Sequence, residues 1–236
     1  MIFAGIVAGG MGSRFGSDIP KQFLKLGNKP IVVHTVEKFL LYSKFDAIFI
    51  GVNENWIPYA QDLFKTYGIN SEKIFFSKGG KDRNLTIMSI IDDIERKFGK
   101  SDDNIIVTHD AVRPFVTLRI IDENVEAAKL YGACDTVVNS NDTIVESDVA
   151  CKEIRSVPNR KYMFLGQTPQ SFNMSKLKTF FNNLSESQKS ELTDACKIFT
   201  LNNQKVHLVM GEFSNFKITT MSDYKIANSL LEIKFD

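Results

Sequence analysis

Three cysteines, three histidines and a net charge of only +1 are all that this 236-residue chain offers to several common functions. Cys134, Cys151 and Cys196 are odd in number, far apart and without C-x-x-C spacing, which argues against a disulfide framework and against a zinc site. A reducing cytoplasm is the simplest setting for such a chain. The three histidines are scattered and make no metal set, so His34 and His109 read as packing or structural residues. The nearly balanced charge argues against a nucleic-acid-binding surface and makes the basic residues local tools. No apolar run approaches a membrane span, and the apolar start at residues 1–7 lacks the basic region of a signal peptide. No repeat, linker or low-complexity segment divides the chain, whose length suits one α/β domain spanning residues 1–236.

What is present is concentrated in residues 2–23, IFAGIVAGGMGSRFGSDIPKQF. Residues 2–7 are apolar without alternation, which suits a strand buried on both faces of a parallel sheet. Ala8, Gly9, Gly10, Gly12 and Gly16 follow, and such a turn lets successive N–H groups point at a phosphate chain. The dinucleotide fingerprint G-x-G-x-x-G fails because Phe15 stands at its sixth position, and no glycine has the Gly-Lys-Ser/Thr partner of a P-loop. Arg14 and Lys21, the latter behind the restricted backbone of Pro20, add two positive charges. A phosphate cradle with two fixed cations is the equipment for stabilising a triphosphate whose α-phosphorus is attacked.

Beyond this loop the pattern alternates. An apolar helical stripe follows Pro30, residues 47–52 read as a buried strand, 58–67 as a helix and 73–77 as a strand. Gly79 and Gly80 precede a helix expected over 84–98 with Asn84 as its cap, and residues 104–108 form a further strand ending at His109-Asp110. This order predicts a mostly parallel sheet with helical crossovers. Ligands sit beyond the carboxyl ends of such strands, so Asp110 is placed to hold Mg²⁺, which takes one or two protein carboxylates and completes its shell with phosphate oxygens and water. After a helix at 118–130, residues 133–147 and 154–166 read as β-structure whose edges a second subunit would cover. Helices are then expected at 176–184 and 186–200, a strand at 206–210, and a final helix capped by Ser222 or Asp223.

AGGMGSRFG with PKQFLKL, GGKDRNLTI at 79–87, THDAVRPF at 108–115, QTPQSF at 167–172 and NFKITT at 215–220 together resemble the sugar-phosphate cytidylyltransferases acting on methylerythritol phosphate and ribitol phosphate. The resemblance covers nearly the whole chain. It implies a Rossmann-like nucleotidyltransferase fold of three layers with a protruding β-arm, within 133–166, that swaps across a homodimer. It implies nucleotide binding by Ala8, Gly9, Gly10 and Gly12, and cytosine recognition by Gly79, Gly80, Arg83 and Thr86. It also implies acceptor binding by Arg113 and Lys217, and by Thr143 and Arg160 of the neighbouring subunit's arm.

Two features depart from the methylerythritol-phosphate pattern: Ser214 stands where those enzymes carry an aspartate, and residues 193–197 read TDACK where they carry T-D-E/D-A-S. Ser214 offers no second metal carboxylate, and the TDACK form, with AGIVAGG, THDAVRPF and GQTPQSF, resembles the ribitol-phosphate branch. The resulting expectation is transfer from CTP to D-ribitol 5-phosphate, giving CDP-ribitol for teichoic-acid or capsule-type polymers. The alternative acceptor is 2-C-methyl-D-erythritol 4-phosphate, in isoprenoid precursor synthesis. A nucleotide-binding regulator without turnover is the rival of another class, disfavoured because a pure binder has no need of Arg14, Lys21 and Asp110 together.

Overall fold

The computed structural model describes residues 1–10 and 19–232. In chain order, β1 (Ile2–Ala8) is followed by a short hairpin of β2 (Lys25–Leu26) and β3 (Lys29–Pro30), then α1 (Ile31–Leu40), β4 (Ala47–Val52), α2 (Ile57–Thr66), β5 (Ile74–Lys78), α3 (Arg83–Phe98), β6 (Ile105–Asp110) and α4 (Leu118–Tyr131). The second half holds β7 (Ala133–Asn139), a separate pair of β8 (Glu146–Ser147) and β9 (Ile154–Ser156), β10 (Phe164–Asn173), α5 (Met174–Asn183), α6 (Glu186–Ser190), α7 (Cys196–Leu201), β11 (His207–Met210) and α8 (Met221–Glu232).

Seven strands form one sheet in the order β11-β7-β10-β6-β1-β4-β5, and only β10 runs against the others. The period of two along the strands sorts their side chains into two cores. Ala4, Ile6 and Ala8 of β1, with Ile48, Ile50 and Val107, pack under α1, α2 and α4. Phe3, Phe49 and Ile106 pack under α3, α5 and α7. The result is three layers, α/β/α, in which each fully buried Ile or Phe contributes roughly 1.5–3 kcal/mol.

The chain runs from β1 outward through β4 to β5 and returns to β6 on the other side of β1. This reversal puts a crevice at the carboxyl ends of β1 and β6, where Val7 is in register with Asp110. Gly51 fixes how near α3 can come: a Cβ there would lie 2.5 Å from Thr86 Cγ2. A glycine within a strand thus marks a close approach of neighbouring elements.

Several boundaries differ from expectation for identifiable reasons. Helix α3 starts at Arg83 because Asp82, and not Asn84, is its cap, accepting from Leu85 N at 2.8 Å. The stretch expected as one helix at 186–200 is two, α6 and α7, separated by residues 191–195. Thr220 caps α8: its hydroxyl accepts from Asp223 N at 3.2 Å while Asp223 Oδ2 accepts from Thr220 N at 2.7 Å. Residues 133–139 and 164–173 belong to the main sheet, so only the β8–β9 ribbon and its flanks stand apart, exposing Val149, Ile154 and Val157. No helix among the described residues is long and apolar enough to cross a membrane.

Candidate active site

A cleft of about 270 Å³ opens at the reversal point, bounded by Gly9, Gly10, Lys21, residues 80–83, Thr86, Asp110 and Lys217. On its first wall the turn after β1 meets the start of α3. Thr86 Oγ1 donates to Asp82 O at 2.8 Å and accepts from Gly80 N at 3.0 Å. A Cβ on Gly9 would lie 3.3 Å from that hydroxyl, and a Cβ on Gly80 would lie 2.5 Å from Leu85 Cβ. Gly79 N donates to Val52 O at 2.7 Å, which ties the glycine pair to the end of β4. Four residues assigned to the nucleotide, Gly9, Gly79, Gly80 and Thr86, are therefore brought together, and Ala8 ends the strand beside them. Gly12, Arg14 and Gly16 lie outside the described residues.

Lys21 opens a single 3-10 turn, Lys21–Phe23, behind Pro20. The turn is held from both sides: Gln22 Nε2 donates to Ala8 O at 2.6 Å, and the Phe23 ring packs against Trp56 and Tyr59. Lys21 Nζ donates to Ile218 O at 3.0 Å, reaching the far end of the chain. Gln22 and the aromatic pair were not singled out in the sequence, where nothing local signals a contact to β1 or α2.

Asp110 is 5 % exposed and surrounded by cations. Arg83 Nε lies 3.1 Å from Oδ1, while Arg113 Nε at 3.4 Å and Lys217 Nζ at 3.0 Å share Oδ2. Burial alone would raise the Asp110 pKa, but the charges of Arg83, Lys217 and Arg113 outweigh it and hold the carboxyl well below the usual carboxylate range. The Arg83 Nη1 and Nη2 groups are buried and make no hydrogen bond among the described residues, so four N–H donors stay unpaired in a residue that lines the cleft. Arg113, assigned from the resemblance to the acceptor, is turned inward: besides Asp110 it reaches Asn215 O through Nη1 at 2.9 Å, and it does not line the cleft.

His109 is structural. It is fully buried, and burial pushes its imidazole down to about 4, so it is neutral at pH 7. A carbonyl can only accept, so Nε2–H donates to Arg113 O at 3.0 Å and Nδ1 accepts from the Thr168 hydroxyl at 3.0 Å. The Thr168 oxygen in turn accepts from Asp110 N at 3.1 Å.

The donor set fits a metal in one way. No cluster of three or more His, Cys, Asp or Glu is present among the described residues, so a site built wholly from side chains is not offered. A single ionised carboxylate at a phosphate cradle fits Mg²⁺ arriving with a triphosphate, since phosphate oxygens complete its shell. Of the three cations on Asp110, Lys217 has the most exposed side chain, 41 %.

Thr143 and Arg160 lie elsewhere. Thr143 is exposed, and Arg160 Nη1 donates to Asn141 O at 2.9 Å beside a shallow hollow shared with Asn139, Ser140 and Lys161. Neither lines the central cleft of its own chain.

A mostly parallel sheet carrying a glycine turn, a lysine and one ionised carboxylate at its reversal point defines an α/β nucleotidyltransferase. The family model IspD, 2-C-methyl-D-erythritol 4-phosphate cytidylyltransferase, matches residues 2–233, and the chain belongs to this family of CTP-dependent cytidylyltransferases. Among solved structures it resembles 4-diphosphocytidyl-2C-methyl-D-erythritol synthase from Anaerococcus prevotii, at 26% identity and TM-score 0.81 over 99% of this chain and 96% of that one. It also resembles 2-C-methyl-D-erythritol 4-phosphate cytidylyltransferase from Francisella tularensis, at 27% identity and TM-score 0.79 over 97% and 98%. The corresponding protein of Thermus thermophilus, at 23% identity and TM-score 0.75 over 99% and 100%, supports the fold alone.

Proposed function

We propose that the protein joins CTP to a polyol phosphate, releasing pyrophosphate. The acceptor phosphate oxygen forms a bond to the α-phosphorus of CTP as the bond from that phosphorus to the bridging oxygen breaks, and the electron pair leaves with pyrophosphate. The acceptor is already ionised near neutrality, so no general base is required. The observation that carries this reading is the convergence of Lys21, Lys217 and the buried Asp110 on one cleft, with Lys217 paired to Asp110 and Lys21 held on Ile218 O. Catalysis is then mainly positioning and charge stabilisation.

Lys21 and Arg14 neutralise charge on the α-phosphate and the leaving group. Gly9, Gly80 and Thr86 receive the nucleotide, and the unpaired Arg83 Nη groups donate to an oxygen of it. Asp110 holds Mg²⁺, which supplies further charge neutralisation on the phosphate oxygens. Lys217 binds the acceptor phosphate. Thr143 and Arg160 reach it from the arm of a second copy in a homodimer, which accounts for their distance from their own cleft.

The acceptor supported most directly by the family model and the two structures above 25% identity is 2-C-methyl-D-erythritol 4-phosphate. A second reading, D-ribitol 5-phosphate, rests on the TDACK segment of residues 193–197 together with AGIVAGG, THDAVRPF and GQTPQSF. Pyrophosphate release with CTP and Mg²⁺, measured in parallel with the two acceptors, separates them: the preferred acceptor has the higher kcat/KM. CTP binding without release with either acceptor would overturn the transfer reading and leave a nucleotide-binding regulator.

A further inference from the structure

Residues 211–220, between β11 and α8, form no strand or helix, yet they carry two contacts of the site, Lys217 on Asp110 and Ile218 O on Lys21. An irregular segment keeps its place only if its polar groups are gripped from outside. Asn215 is the grip. It is fully buried, and its Nδ2 donates to Gln167 Oε1 at 3.1 Å and to Thr168 O at 2.8 Å, using both amide hydrogens. Gln167 completes the bridge by donating from Nε2 to Glu212 O at 2.9 Å. The backbone oxygen of Asn215 accepts from Arg113 Nη1 at 2.9 Å.

One residue is therefore tied to β10 by its side chain, to Arg113 by its carbonyl and to Lys217 by sequence. Arg113 and Lys217 converge on the same oxygen, Asp110 Oδ2. We infer that Asn215 is a positioning residue that, with Gln167, sets Lys217 and Arg113 against Asp110 and so fixes where the acceptor phosphate is held. The part concerning the acceptor rests on the function proposed above. A lysine ammonium reaches only as far as its four-carbon stem, so Lys217 meets Asp110 only while its Cα is held within that reach. Gly211 belongs to the same device: a Cβ there would lie 2.5 Å from Gln167 Oε1 and 2.8 Å from Thr136 Cγ2, and would push Gln167 out of the bridge.

Asn215→Asp keeps the size but turns an acceptor toward two acceptors. Gly211→Ala disturbs the bridge by a different route and leaves Asn215 intact. Each variant is expected to raise the acceptor KM about tenfold or more while the Kd for CTP with Mg²⁺ stays within about twofold of wild type, the signature of a misplaced binding group. In hydrogen exchange without substrate, the Ile218 amide, which donates to Val112 O at 3.0 Å, is expected to exchange at least ~10-fold faster while β1 and β6 keep their protection. An unchanged acceptor KM in a folded variant, a parallel loss of CTP affinity, or loss of protection spread over β1 and β6 would each overturn the inference. Should the wild-type enzyme turn over neither acceptor, the functional reading fails, and the exchange measurement still decides the role of Asn215.

Discussion

Lys217 Nζ and Asp110 Oδ2 stand 3.0 Å apart, the ammonium on a strand-free segment near the C-terminus and the carboxylate at the end of a central strand. With Arg83 and Arg113 also on Asp110, three positive charges share one negative charge at the floor of the cleft. Of the three, Arg83 and Lys217 line the cleft, and the low exposure of Asp110 weakens the screening of these charges.

Asp110→Asn should therefore destabilise the fold as well as stop turnover. It leaves the buried Arg83 and Arg113 without their counter-charge, and breaking such a pair costs about 3–5 kcal/mol. Urea denaturation of the variant measures this. In the wild type the folded pKa of Asp110 lies below its unfolded value, so its contribution is present above the ordinary aspartate pKa of about 4 and is lost as pH falls below it.

Asp135 should show the opposite sign. Burial, assisted by nearby Asp194 and opposed by the Gln170 hydrogen bond at 3.0 Å and by Arg83, pushes its pKa up to about 6. The folded state then holds a proton that the unfolded state has lost, so stability falls as pH rises from about 4 to 6 and the full penalty is present at pH 7. Asp135→Asn can still accept from Gln170, and it should stabilise the protein at pH 7 by about 1–3 kcal/mol and remove that slope. Thermal melts of both proteins from pH 4 to 7 provide the check.

Lys21→Ala should lower kcat by at least ~10²-fold, the scale for losing a preorganised charge stabiliser. Its side chain is already held in place by Ile218 O, so little ordering remains for the transition state to supply. Near-normal turnover in a folded variant would remove Lys21 from the mechanism.

If Arg160 serves the neighbouring subunit, two defective variants should repair each other. Lys21→Ala mixed with Arg160→Ala, allowed to exchange subunits, is expected to recover about a quarter of wild-type activity at limiting acceptor, because half of random dimers carry one intact site. No recovery, or a monomer in sedimentation at assay concentration, would remove the arm from the active site.

The sequence by itself determined the layered fold and one wall of the site. The apolar runs of β1 and β4 and the apolar start of β6, the glycines after β1 and the lysine after Pro20 are local patterns set by backbone sterics and side-chain period, and Asp110 follows because strand ends are legible in such patterns. The limits of the arm were less legible, since β-rich composition does not tell a ribbon from a sheet strand, and residues 133–139 and 164–173 joined the main sheet. The partners of Asp110 were decided only by tertiary structure. Nothing near Arg83 in the chain says that its Nε turns to a carboxylate on the next strand while its Nη groups stay unpaired, and nothing near Asn215 says that it grips Gln167. Such contacts arise from burial: once packing excludes water, most polar groups are held by a partner, and the nearest one in space is often far away along the chain.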